Sequence, residues 1–287
     1  SRGLGDVYKR QMPELPEVET VVRTLEHQLD RVMITGCEVF WNNIIGYPDA
    51  ATFCRDIVGK TIQGYYRHGK YMRFDLGDME WICHMRMEGK FYVQQPQEPY
   101  DKHVHVILQL SDGRQLRYHD TRKFGKMYLY EKRADVSSYP CFKNIGYDAF
   151  DERITAEWMY HTLHKKKTAL KAVLLDQRYI AGIGNIYADE ICFAMHMHPE
   201  TMINHLRKKD FEELIYHIRR ILNGAIRAGG TTIRSYTSQL GVDGRFQLKL
   251  KVHAKKGEAC PVCGTTIKKI VVATRGTCFC PTCQRRR

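Results

Sequence analysis

The sequence has no apolar run approaching the length of a bilayer crossing, so it offers no candidate membrane-spanning helix. It has no internal repeat and no low-complexity tract, which argues against a solenoid or a disordered array. Negative charge is also scarce. Lys and Arg number 45 against 32 Asp and Glu, a formal excess of 45 − 32 = 13, and the isoelectric point is near 9.2. A solubilising surface does not need a balance this one-sided, so a polyanionic partner is expected, nucleic acid first. Residues 1–11 lack the apolar core of a secretory signal. Asp6 to Gln11 matches the translated end of a transposon used in library preparation. Residues 1–11 are therefore expected to be a non-native extension, with translation starting at Met12.

Cysteine is not scarce, but its distribution is uneven. Cys37, Cys54, Cys83, Cys141 and Cys192 are scattered singly among apolar neighbours and read as reduced, buried side chains. The other five fall within the last 28 residues. A disulfide framework would need an oxidising compartment, and nothing directs export, so the expected compartment is the cytoplasm.

A chain of 287 residues suggests two domains and a small third unit. Val18, Val21, Val22, Leu25 and Leu29 follow a helical period behind Pro16. Residues 32–130 then read as strands. Thr61 to Leu76 forms a hairpin turning near His68-Gly69, and Asp112-Gly113 turns a second. This density of short strands predicts a β-sandwich or barrel. From Thr155 the pattern is helical, with helices opening at Thr155 and spanning Thr168–Asp176, Ile186–Met195 and Leu206–Ala228, the last closed by Gly229-Gly230.

Met12-Pro13-Glu14-Leu15-Pro16-Glu17 has two readings. Pro16 and the acids suit a helix start. A proline behind an initiator methionine can also become a free secondary amine, a nucleophile of the Schiff-base kind, with Glu14 and Glu17 beside it to move protons. In the chain as written, Pro13 is internal and its nitrogen is an amide. Cys260-Pro261-Val262-Cys263 and Cys280-Pro281-Thr282-Cys283 are two C-x-x-C knuckles separated by 16 residues. Four thiolates so placed can close a tetrahedron around one structural zinc, with Ile267–Ala273 and Gly276–Phe279 as a hairpin and Arg275 at its tip facing a phosphate. Cys278 is left over.

Gly182-Ile183-Gly184-Asn185 lacks the third glycine and the preceding strand of a dinucleotide loop. It reads as a plain turn between helices, or as a turn whose backbone N–H groups and Asn185 amide meet a DNA phosphate. Asp120-Thr121-Arg122-Lys123-Phe124-Gly125 is either an ordinary hairpin tip or an intercalating wedge, with Met87 of His84–Gly89 as a possible companion.

Together these blocks resemble the formamidopyrimidine-DNA glycosylases, bacterial base-excision repair enzymes, from Met12 to Gln284. The matching segments are PELPEVET (13–20), HGK (68–70), HMRMEGKF (84–91), DTRKFG (120–125), GIGNIYADE (182–190), GGTTIR (229–234) and CPVC to CPTCQ (260–284). The resemblance implies an α+β multidomain chain: an antiparallel β-sandwich over 12–142, a helix-two-turn-helix domain over 143–245 and a zinc-finger hairpin over 246–287. It implies removal of oxidised purines, 8-oxoguanine and formamidopyrimidines, from duplex DNA, with β,δ-elimination at the abasic site. By position, Pro13 would be the nucleophile, Glu14 the proton donor and Lys70 the lysine at the DNA backbone. Met87, Arg122 and Phe124 would fill the gap left by the flipped base. Asn185 and Arg275 would clamp phosphates, with His103 and Lys171 as further DNA contacts, and Cys260, Cys263, Cys280 and Cys283 would hold zinc. A monomer acting at the nucleoid is implied. A sister branch for oxidised pyrimidines shares Pro13, Glu14 and the zinc finger, and a non-catalytic relative would be expected to lose Pro13 or Glu14. Departures from the family pattern are His253-Ala254-Lys255-Lys256 and Cys278, and residues 235–246 match the base-covering loop only loosely.

Overall fold

The structure is a computed structural model that describes residues 12–231 and 246–286. The expected extension over 1–11 and the base-covering loop up to residue 245 lie outside the described residues.

Helix α1 (Leu15–Gln28) begins two residues after Pro13, with Pro16 in its first turn, where a missing N–H is harmless. Its apolar stripe is divided between two cores. Val18, Val21, Val22 and Leu25 join the core of the first domain, whereas Leu15 is buried in the core of the second. Strands β1 (Ile34–Val39) and β2 (Ile45–Tyr47) follow, and then helix α2 (Ala50–Ile57). This helix corrects the all-strand reading of residues 32–130. Its signals are local: the Asp49 side chain caps it by accepting from the Ala51 and Thr52 N–H groups, and Phe53 and Ile57 are buried one turn apart.

Seven strands complete the domain: β3 (Gly64–His68), β4 (Tyr71–Asp75), β5 (Met79–His84), β6 (Lys90–Gln94), β7 (Val104–Leu110), β8 (Gln115–His119) and β9 (Lys126–Glu131). They form a four-stranded sheet, β1-β7-β8-β6, and a five-stranded sheet, β2-β9-β5-β4-β3. All neighbours are antiparallel except β2 and β9, which run parallel. The sheets face each other across one core. Met72, Phe74, Trp81, Met127 and Leu129 from one meet Phe91, Val106, Leu108, Leu116 and Tyr118 from the other. The outer face of the five-stranded sheet is covered by Tyr139 and Phe142, which pack on Tyr71, Ile82 and Tyr130.

The second domain contains β10 (Tyr147–Asp148), α3 (Ala156–Leu163), α4 (Leu170–Leu175), β11 (Ile180–Ala181), α5 (Asn185–Ala194) and α6 (Lys208–Arg227). Thr155 caps α3 through its hydroxyl, as its position before Ala156-Glu157 predicts. The two-residue strands β10 and β11 pair in parallel, so a short strand does precede the Gly182 loop. Phe211, Leu214, Ile218 and Leu222 of α6 are buried in this core, the face expected from their spacing. The hairpin of β12 (Lys268–Val272) and β13 (Arg275–Phe279) closes the chain. Ala273 and Thr274 both have positive φ, 49° and 63°, the backbone of a two-residue type I′ turn.

The domains are locked together beside the β3–β4 turn. Arg67 is buried between Glu19 and Asp148, and Asp148 also accepts from the Gly69 N–H at 2.7 Å. These charges compensate one another away from water, which holds the turn carrying Lys70 against the second domain.

Candidate active site

Pro13 and Glu14 lie where the sandwich meets the start of α5. The Glu14 carboxylate accepts from the Gly184 N–H at 2.7 Å, the Ile186 N–H at 2.8 Å and the Tyr187 N–H at 3.4 Å. It therefore caps α5 in trans, satisfying amides that a helix leaves open at its N-terminus. A Cβ on Gly184 would stand 2.4 Å from Glu14 Cδ, and one on Gly182, at φ 112°, would meet Leu15 at 2.5 Å. The Gly182-Ile183-Gly184 loop is thus a socket for residues 14–15. This weighs against the reading in which its backbone N–H groups meet a phosphate, because Glu14 takes those of Gly184, Ile186 and Tyr187 and Gln177 takes that of Gly182.

Burial raises the Glu14 pKa above the ordinary carboxylate value, against the opposing pull of Lys70 and the backbone donors. Glu17 is also buried. Burial first, and the neighbouring Glu14 second, push its carboxyl up to about 7. Glu17 accepts from the Glu14 N–H (3.0 Å), the Tyr187 hydroxyl (2.5 Å), and the Thr231 N–H and hydroxyl (2.8 and 2.9 Å). The sequence offers Glu17 as a helix-start acid or a proton carrier beside Pro13, but does not reveal this junction, whose partners lie 170 and 214 residues away along the chain. Lys70, next to the tight turn at Gly69, is buried. Burial lowers its ammonium pKa, Glu14 and Glu17 oppose that shift, and Arg275 adds to it. The Arg275 guanidinium is therefore within electrostatic reach of the same centre.

The Asp120 loop presents a second set of groups. Asp120 is fully buried, and its carboxylate accepts from the Arg122, Phe124 and Gly125 N–H groups at 2.8–2.9 Å. That cage holds Arg122 and Phe124 outward. The Arg122 guanidinium lies over the Phe124 ring at 4.8 Å, its Nη1 reaches Met87 Sδ at 3.4 Å, and Phe124 is 50 % exposed. The structure thus brings Met87, Arg122 and Phe124 together at the surface. Sequence reasoning did not single out Asp120, although an Asp two residues before an exposed Arg is the usual signal for such a loop-ordering acid. His103 is half-buried beside His119, their rings 5.6 Å apart.

Arg275 is exposed at the start of β13, across from Val272. Asn185 is half-buried at the start of α5, and its amide donates to the Gly276 carbonyl at 3.1 Å. Lys171 does not sit where a DNA contact requires. It is fully buried, ion-paired to Asp189 at 2.6 Å and bonded to the Thr277 hydroxyl at 2.7 Å, so it has no access to a phosphate. The resemblance alone could not reveal that burial.

The Sγ atoms of Cys260, Cys263, Cys280 and Cys283 all lie within 4.8 Å of one another. Zinc–sulfur bonds of about 2.3 Å put the edges of a tetrahedron at about 3.8 Å, so these four ligands fit one zinc ion with no position left open. The Cys283 N–H lies 3.4 Å from Cys280 Sγ, and Gln284 Oε1 accepts from the Cys280 N–H at 2.9 Å, which shapes the second knuckle. Cys278 is buried outside the cluster, against Val252 and Ile267.

A buried acid capping a helix beneath a lysine, an exposed arginine–aromatic wedge and a four-thiolate hairpin together define a zinc-stabilised nucleic-acid-processing fold. Residues 12–127 match the formamidopyrimidine-DNA glycosylase N-terminal domain, 145–237 the H2TH domain of that enzyme, and 257–286 the zinc finger found in FPG and IleRS. The formamidopyrimidine-DNA glycosylase of Bacillus subtilis strain 168 is 45 % identical over 277 residues, covering 96 % of this chain and 100 % of its own; that of Bacillus licheniformis is 44 % identical over 276 residues with the same coverage. Among solved structures, the wild-type Lactococcus lactis Fpg in complex with a N7-Benzyl-Fapy-dG containing DNA aligns with a TM-score of 0.88 at 39 % identity, covering 96 % of this chain and 100 % of that one. The Lactococcus lactis Fpg in complex with an abasic site containing DNA aligns at 0.88 and 39 %, covering 95 % and 100 %. The chain belongs to the formamidopyrimidine-DNA glycosylase family.

Proposed function

We propose that this protein excises oxidised purines, 8-oxoguanine and formamidopyrimidines, from duplex DNA and cuts the strand by β,δ-elimination, with the freed amine of Pro13 as nucleophile. The observation that carries this reading is Glu14, a buried carboxyl with a raised pKa, fixed next to Pro13 by the α5 N-terminus. In the reaction, the Pro13 amine attacks C1′ of the sugar and the base departs. Glu14 protonates the opening sugar oxygen. The resulting iminium acidifies the C2′ proton, so elimination of the 3′ and then the 5′ phosphate follows. Lys70 faces the sugar–phosphate backbone at this centre. Met87, Arg122 and Phe124 enter the stack and occupy the space of the extruded base. Arg275 and Asn185 meet phosphates, and His103 extends the contact to the flanking backbone. The zinc is structural, as four protein ligands close its shell. The protein acts as a monomer on bacterial DNA in the cytoplasm.

An amide nitrogen has no available lone pair, so this chemistry requires a chain that begins at Pro13. A protein starting at Met12, with that methionine removed, should form an adduct with lesion-containing duplex that borohydride traps. The chain retaining residues 1–11 should bind the duplex without forming the adduct. Equal trapping of both would remove Pro13 from the role and leave Lys70 as the amine to examine.

A further inference from the structure

The hairpin that carries Arg275 is fastened at two places. Zinc holds its base, through the cysteines before β12 and after β13. Arg275 lies at the other end of β13, four residues or about 13 Å from Phe279 at ordinary strand rise. A metal at the base leaves that end to pivot, so the arginine needs a tie of its own.

Lys171 of α4 supplies one. Its ammonium donates to Thr277 Oγ1 at 2.7 Å, and that hydroxyl donates to the Arg275 carbonyl at 3.0 Å. The same ammonium approaches the Gly276 carbonyl at 3.4 Å, the acceptor that also takes the Asn185 amide. Asp189, one turn after Asn185 on α5, compensates the charge with Oδ1 at 2.6 Å. Its Oδ2 holds His253 Nδ1 at 2.7 Å and the Cys278 N–H at 3.3 Å. Lys171 and Asp189 are both fully buried. A buried ion pair is a poor source of stability compared with apolar packing, but its hydrogen bonds fix direction. The bonds from Lys171, Asn185, Thr277 and Asp189 to the Arg275 and Gly276 carbonyls and the Cys278 N–H converge on the backbone of residues 275–278.

We propose that Lys171 and Asp189 are positioning residues for the Arg275–Asn185 phosphate clamp, acting through Thr277 and the backbone of Arg275 and Gly276. The inference rests on Arg275 and Asn185 meeting DNA phosphates. Lys171 touches no DNA in this arrangement, yet it sets the bearing of an arginine that does. Asp189 makes the register of α5 and of the hairpin one variable, so the two halves of the clamp move together.

The test is a double-mutant cycle on the zinc-loaded protein, titrating a lesion-containing duplex over a range of salt. Arg275→Ala should weaken binding on the order of tenfold and lower the slope of log K against log salt by about one phosphate. Lys171→Met should do nearly the same, with one zinc per chain retained. Lys171→Met added to Arg275→Ala should cost less than about twofold more, because both remove one contact. Thr277→Val keeps the ion pair, removes the hydroxyl relay and should show the same non-additivity; it decides the matter if Lys171→Met does not fold. Additive losses, an unchanged salt slope or loss of zinc in folded Lys171→Met would overturn the coupling. Parent-like binding by Arg275→Ala would instead refute the clamp itself, and the positioning role with it.

Discussion

The Glu14 carboxylate and the Gly184 N–H, 170 residues apart in sequence, are joined by a 2.7 Å hydrogen bond that seats the N-terminal arm on the end of α5. The bond serves structure and chemistry together. It completes a helix terminus, and it fixes a carboxyl whose pKa burial raises beside the proposed nucleophile.

Glu14→Gln should therefore lose two things of different size. The capping contribution is worth about 1 kcal/mol, visible as a small fall in denaturation midpoint. Base release should drop by about 100-fold or more, since the amide cannot donate the proton. Duplex binding should stay close to that of the parent. Single-turnover base release alongside denaturant titration separates the two effects, and unaltered base release would take the acid role from Glu14.

Glu17 predicts a pH dependence. Its folded-state pKa, raised from 4.5 to about 7, means that it favours the folded state fully below 4.5 and loses that contribution as pH rises to about 7. A shift of this size corresponds to a few kcal/mol, on the order of 3. The stability of Glu17→Gln relative to the parent should accordingly climb between pH 4.5 and 7 and then level. Chemical denaturation across that range measures it; a difference independent of pH would show that Glu17 does not titrate there.

Phe124→Ala should narrow the gap in affinity between lesion-containing and undamaged duplexes, because an exposed ring held by Arg122 is suited to entering a stack. Competition binding with both duplexes reads this out. Equal loss on both would make Phe124 a general contact and not a wedge.

Cys280→Ser should lose zinc, whereas Cys278→Ser should retain it, since Cys278 lies outside the four-thiolate cluster. Metal content per chain decides between them. Loss of the ion should abolish duplex binding by releasing the hairpin that carries Arg275.

Features set by local spacing were legible in the sequence. The cysteine knuckles, the Asp112-Gly113 turn and the stripe on α6 all depend on neighbours a few residues away. Helix α2 was locally signalled by Asp49, Phe53 and Ile57, but a surrounding run of strand patterns masked it. Features set by distant partners were not legible. The purpose of Gly182 and Gly184 is visible only once Leu15 and Glu14 are seen pressed against them. Lys171 has the composition of a DNA contact, and only three-dimensional burial against Asp189 shows otherwise. The buried acids Asp189 and Glu190, set within the apolar stretch from Ile186 to Phe193, were a readable sign that something cationic or N–H-rich must cover them.

The socket at Gly184 also imposes an order in time. A ribosome releases Pro13 and Glu14 among the first residues of the enzyme but makes the helix that receives Glu14 only some 170 residues later. A growing chain thus carries Pro13, the proposed nucleophile, early, with the Glu14 carboxyl still in water. The Glu14 and Glu17 bonds to Gly184, Ile186 and Tyr187 can form only once the second domain has been made and has folded against the first.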